Sequence, residues 1–114
     1  MEKPDFIGVN TYHGEGVDEE GRSVRYTGFP QTALKWPVAP ECMYYGVTNL
    51  YRRYGLPICI TENGQSSNDR VFLDGKVHDI DRIDFLHRYL LLLKRGIDEG
   101  TPVIGYLHWS FLDN

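Results

Sequence analysis

The chain has 114 residues, the size of one small domain, with 41% apolar and 25% charged residues, as in an ordinary soluble globular protein. Its net charge of −4 gives no bulk attraction for nucleic acid or an anionic membrane. The longest apolar run, YLLLL at residues 89–93, is far too short to span a bilayer, and no basic segment followed by an apolar one opens the chain.

DFIGVN, residues 5–10, is a short apolar run after Pro4 and reads as a strand. Residues from about 13 to 40 are turn-rich, with DEEGR reading as a solvated turn, and a loop of that length is usually functional or mobile. A helix is expected over residues 41–54, where Met43, Val47, Leu50 and Tyr54 recur at i, i+4, i+7 and i+11 and Gly55 lies just past the end. Pro57 then leads into a strand at residues 58–61, inside which Cys59 reads as a small core residue. Cys42 is the only other cysteine, so neither a zinc site nor a disulfide framework is indicated, and a reducing, cytoplasmic setting is expected.

A polar loop follows, with SSND and Asp74-Gly75 as turn signals. The clearest helix starts after Asp79, a candidate N-cap, with Ile83, Leu86, Leu90, Leu93 and Ile97 marking one face. Gly100 and Pro102 stop it, and residues 103–110 form the last strand. The order strand–helix–strand–helix–strand predicts an α/β fold of parallel strands joined by right-handed helical crossovers. The interior strands are continuously apolar, which predicts cover on both faces of the sheet.

In parallel α/β folds, sites form beyond the carboxyl ends of the strands. The first strand ends in Asn10, with Tyr12 two residues on; the second ends in Glu62 and Asn63; the third ends in His108, Trp109 and Ser110. A carboxylate, an amide, a phenol and an indole at one mouth suit a polyhydroxylated ligand, because amide and carboxylate bond hydroxyls and an indole packs on the C–H face of a sugar. The histidines are scattered without metal-ligand spacing, and no phosphate-binding glycine motif is present, so no metal or cofactor is expected. Each residue also has a purely structural reading. Glu62-Asn63-Gly64 is a good turn sequence, Asn10 suits a loop cap, Trp109 suits a core, and Trp36 suits either loop packing or an exposed binding surface.

DFIGVNTY, TALKWPVAPE, YGLPICITENG, DGKVHDIDRIDFLHRYL and GYLHWSFLDN resemble, in order, segments of the family-one glycoside hydrolases, the β-glucosidase family. The resemblance covers nearly the whole chain. It implies a TIM (β/α)8 barrel of retaining glycosidases, with residues 1–114 an incomplete barrel domain, a βαβαβ segment resembling strands six to eight. By the same resemblance Glu62 matches the catalytic nucleophile, and Asn10 and Tyr12 match an Asn-x-Tyr whose Asn lies in the site and whose Tyr bonds the nucleophile. Trp36 matches the aglycone-side platform, and Trp109 the tryptophan under the sugar. Thr11, His13 and Lys35 depart from the family pattern; Lys35 stands where Gly commonly precedes the Trp.

A retaining glycosidase needs two carboxyl groups about 5–5.5 Å apart, one to attack and one to protonate the leaving oxygen. The family's Asn-Glu-Pro acid is absent from these residues, as is the Phe-Glu-Trp that normally follows WSFLDN. A full barrel takes roughly 200 residues or more, and three strands cannot close one. The expectation is therefore a piece of a β-glycosidase, inactive alone, with open sheet edges that invite self-association. The alternative is a non-catalytic carbohydrate-binding or interaction fragment.

Overall fold

The computed structural model describes residues 4–24 and 27–112 of the chain. In chain order the elements are β1 (Ile7–Asn10), β2 (Gly16–Val17), β3 (Ser23–Val24), α1 (Cys42–Tyr54), β4 (Ile58–Asn63), α2 (Ile80–Asp98) and β5 (Val103–His108). β4 lies at the centre of a three-stranded parallel sheet in the order β1-β4-β5. The crossovers β1–α1–β4 and β4–α2–β5 are those the sequence order predicts. The last two residues of the WSFLDN segment lie outside the described residues.

The long first loop contains a feature that periodicity did not reveal, the antiparallel pair β2–β3. Its turn is the DEEGR segment, as expected. The Asp18 carboxylate accepts the backbone N–H groups of Glu20 and Arg22 at 3.0 and 2.8 Å, and ion-pairs with the Arg22 guanidinium at 2.8 Å.

α1 ends where Gly55 takes φ 64° and donates its N–H to the Tyr51 carbonyl at 2.8 Å. That left-handed cap is cheap only without a Cβ. Met43 and Val47 are buried as the spacing predicts, but Tyr54 is exposed and Tyr51 packs beside the core in its place. Asp79 occupies the N-cap position of α2 without making a side-chain cap bond. Its carboxylate instead accepts from the Arg82 guanidinium at 2.7 Å.

Of the apolar face expected for α2, Leu93 alone is buried. Phe85, Tyr89 and Leu93 are buried, whereas Ile83, Leu90 and Ile97 are exposed. The helix carries two apolar stripes, and the buried one includes a tyrosine whose hydroxyl finds backbone partners at Tyr12 and Ala39, in the loop after β1. Phe85 and Tyr89 stack at 3.8 Å between ring centroids, 20° from parallel. They close a core with Met43, Val47, Ile58, Ile60 and Leu93.

This core covers one face of the sheet only. Cys59 is half-buried on the other face: a Cβ on Gly105 would lie 3.0 Å from its Sγ, and it is not part of the core. The prediction of cover on both faces does not hold among the described residues. No helix among them is long and apolar enough to cross a membrane.

The two stripes of α2 can be told apart by mutation. Phe85→Ala, at a side chain 2% exposed, is expected to cost about 3–5 kcal/mol in urea unfolding. Ile83→Ala, at a side chain 66% exposed, should stay within about 0.5 kcal/mol of the parent. The reverse ranking would restore the face predicted from spacing.

Candidate active site

The geometry at the carboxyl end of the sheet starts from a register irregularity. Val9 pairs with Ile60, but Asn10 pairs with Glu62. On the other side Ile60 pairs with Tyr106 and Asn63 with His108. β4 therefore carries one residue more than either neighbour across Thr61–Glu62. Strict alternation from Ile58 and Ile60 would turn Glu62 toward the helices. The extra residue breaks that alternation, as bulges beside sites commonly do. Glu62 instead lines an open cleft of about 690 Å³ together with Tyr12, Trp36 and Trp109.

Asn63 locks the three strand ends together. Its side chain is fully buried. The amide Nδ2 donates to the Thr11 carbonyl at 2.8 Å, and Oδ1 accepts the Tyr106 hydroxyl at 2.8 Å. The Asn63 carbonyl accepts the Trp109 N–H at 2.8 Å, and the Glu62 carbonyl accepts that of Thr11 at 2.9 Å. Burial pushes the Tyr106 phenol up to about 12, so it stays a donor. Gly64 completes the closure, since a Cβ there would overlap the Trp109 carbonyl oxygen.

Tyr12 reaches back over this clamp and donates its phenolic hydrogen to Glu62 Oε2 at 2.7 Å. Burial, followed by the bond to Glu62 and its charge, raises the Tyr12 pKa well above the ordinary phenol value. The phenol therefore remains a neutral donor to the carboxylate over any ordinary pH. One carboxylate oxygen is thereby held.

Trp36 sits beside Tyr12, with ring centroids 5.3 Å apart in an edge contact, and its other neighbour is His13 at 5.4 Å. It rides on a tight loop in which Thr32 N–H bonds the Trp36 carbonyl at 2.9 Å and Lys35 N–H bonds the Thr32 carbonyl at 2.8 Å. The tip is pinned to the segment that follows Glu62. Leu34 N–H bonds Ser66 Oγ at 3.1 Å, and Ala33 N–H bonds the Ser66 carbonyl at 3.2 Å.

Asn10 ends at the same mouth, opposite Glu62, but its side chain is not among the residues lining the cleft. Its amide oxygen accepts the Thr61 hydroxyl at 2.6 Å. Trp109 lines the cleft next to Gly64, half exposed. Two further carboxylates, Asp69 and Asp79, line the same cleft, and both are paired with Arg82. The Asp69 pair is bidentate, at 2.8 and 2.9 Å, and ties the loop after Glu62 to the start of α2. The Ser66 contacts, the Arg82–Asp69 pair and the clamp formed by Asn63 were not found from spacing, because those partners lie well apart in sequence. Among the described residues no group of His, Cys, Asp and Glu could hold a metal ion.

Comparison with known proteins accords with this geometry. The family model of glycosyl hydrolase family 1 matches residues 1–114, and the chain belongs to that family. Beta-glucosidase A of Thermotoga maritima is 39% identical over 120 residues, which take in 100% of this chain and 27% of the relative. A bifunctional beta-D-glucosidase/beta-D-fucosidase of Bifidobacterium breve is 43% identical over 93 residues, 77% of this chain and 20% of that protein. The solved beta-glucosidase from Thermotoga maritima in complex with castanospermine superimposes with a TM-score of 0.89 at 39% identity, covering 99% of this chain and 27% of its own. The βαβαβ unit is thus a segment of a TIM (β/α)8 barrel, as the sequence resemblance implied. The chain spans about a quarter of the length of these relatives.

Lys35 has a cost that geometry explains. It adopts φ 61°, left-handed, where a Cβ is disfavoured by roughly 1–2 kcal/mol. Lys35→Gly is expected to raise stability by about 0.5–1 kcal/mol, after the greater chain entropy of glycine is deducted, read as a higher urea midpoint at unchanged slope. A lower midpoint would mean that contacts of the lysine side chain outweigh the strain.

Proposed function

We propose that the chain carries the nucleophile side of the active site of a retaining β-glycosidase acting on β-D-glucosides or closely related β-glycosides. The observation that carries this reading is the 2.7 Å bond from the Tyr12 phenol to Glu62, at the floor of a cleft flanked by Trp36 and Trp109. Glu62 attacks the anomeric carbon with its free oxygen and forms a glycosyl ester, which water then opens with retained configuration. Tyr12 fixes the carboxylate for in-line attack and supports its charge until the ester forms. Trp109 packs on the C–H face of the sugar, Trp36 faces the aglycone, and Asn10 binds a sugar hydroxyl once its contact with Thr61 is exchanged. The names of the relatives, a beta-glucosidase and a glucosidase/fucosidase, support the substrate class. The reaction needs no metal or cofactor.

The acid that protonates the leaving oxygen is supplied from outside these residues. Asp69 and Asp79 share the cleft, but each is engaged in an ion pair with Arg82. That observation also favours a second reading, in which this chain by itself holds a sugar without cleaving it. Two unpaired cysteines support a reducing, cytoplasmic setting, and neither nucleic acid nor membrane is part of the proposal. β1 and β5 each pair only with β4 among the described residues, so their outer edges are proposed to take a further strand, by self-association when the chain is alone.

On its own the chain is expected to turn over an aryl β-glucoside more than tenfold more slowly than a complete family member. Turnover within tenfold, abolished by Glu62→Gln, would reveal a second working carboxylate in this chain. In sedimentation the free chain should run as an oligomer; a monomer with one sharp thermal transition and no hydrophobic-dye binding would contradict the open-edge proposal.

A further inference from the structure

We propose that Tyr89, on the buried face of α2, is a positioning residue that sets Tyr12 against Glu62 and holds the Trp36 loop beside it. The inference rests on the reading of Glu62 as nucleophile. Its basis is a single buried hydroxyl with two backbone partners from different site-bearing segments. Tyr89 Oη donates to the Tyr12 carbonyl at 2.9 Å and accepts the Ala39 N–H at 2.9 Å. The side chain is 0% exposed and its ring is fixed by stacking on Phe85.

The position matters because sheet pairing has already ended. Thr11 is the last residue after β1 whose backbone bonds β4, through its N–H to Glu62 and its carbonyl to the Asn63 amide. Tyr12 lies one residue further on, and its φ, which places its Cβ and its carbonyl together, decides where the phenol points. The Tyr89 hydroxyl fixes that peptide from behind. Its acceptor side captures Ala39, three residues after Trp36, so the loop end is held at the same point. The edge contact of Tyr12 with Trp36 follows from both restraints.

A phenylalanine would fill the same space. A hydroxyl at full burial needs partners, and here the partners are the backbones of the two segments that frame the cleft. Tyr89 is not among the residues lining the cleft, so it acts through Tyr12 and the loop.

The test follows the Tyr12 ring directly, with tyrosine labelled at 13Cζ and Tyr12→Phe used to assign its signal. In the parent chain, Glu62→Gln should move the Tyr12 resonance. With Tyr89→Phe that response should fall severalfold, while the amide signals of β4 and α2 stay in place. Leu93→Val, which trims the same core and leaves the hydroxyl, should keep the full response. An undiminished response in Tyr89→Phe, or an equal loss in Leu93→Val, would overturn the proposal. If Tyr89→Phe does not fold, the parent chain decides: a slowly exchanging Tyr89 hydroxyl proton with cross-peaks to Ala39 and Tyr12 supports the proposal, and rapid exchange overturns it. Neither readout needs turnover. A chain with this coupling intact but no glycosylation of Glu62 would count against the functional reading and leave the role of Tyr89 standing.

Discussion

The side-chain amide of Asn63 is buried where three parallel strands end, and it can be satisfied only when all three are in register. It donates toward β1 through the Thr11 carbonyl and accepts from β5 through Tyr106, while its own carbonyl takes the Trp109 N–H. A buried polar group left without a partner costs about 1–3 kcal/mol, a large share of a small domain's total stability of about 5–15 kcal/mol. A slip of either neighbour would leave Asn63 and one partner unsatisfied together. The register at the mouth is therefore strongly specified, and Glu62, one residue earlier, is carried into place by it.

Function is layered on this clamp in order of distance. The extra residue in β4 turns Glu62 into the cleft. Gly64 then lets the Trp109 carbonyl come close, which brings the indole to the same mouth. Tyr12 and Trp36 stand on segments without sheet pairing, and they are held by longer-range bonds, from Tyr89 behind and from Ser66 beside. The pairs of Arg82 with Asp69 and Asp79 secure the remaining wall. The site is thus a rigid strand end surrounded by loops pinned to it.

Much of this was legible in the sequence, and the limits have physical causes. The apolar run at residues 58–61 followed by Glu62 placed a carboxylate at a strand end, because parallel topology fixes where strand ends go. Gly55 announced its cap. Leu93 apart, the buried face of α2 was misread because a leucine-rich helix offers two stripes, and the buried one carries the tyrosine whose hydroxyl is satisfied by Tyr12 and Ala39. Cys59 looked like core because alternation says nothing about which face is covered. The bulge at Thr61–Glu62 left no local mark, since it exists only in the pairing with β1 and β5. For Trp36 the residues left loop packing and an exposed binding surface both open, and the bonds that hold its loop, to Ser66 and Tyr89, join residues too far apart for periodicity to register.

The central claim, that Glu62 is a preformed nucleophile in this cleft, is tested most directly by trapping. A 2-deoxy-2-fluoro-β-D-glucoside with a dinitrophenolate leaving group needs no acid to depart and forms a slowly hydrolysed ester with the attacking carboxylate. Peptide mass spectrometry of the treated chain should find one fluoroglucosyl adduct, on Glu62, and none in Glu62→Gln. An adduct on Glu15, Asp69 or Asp79 with Glu62 unmodified, or equal incorporation into the Glu62→Gln chain, would contradict the account.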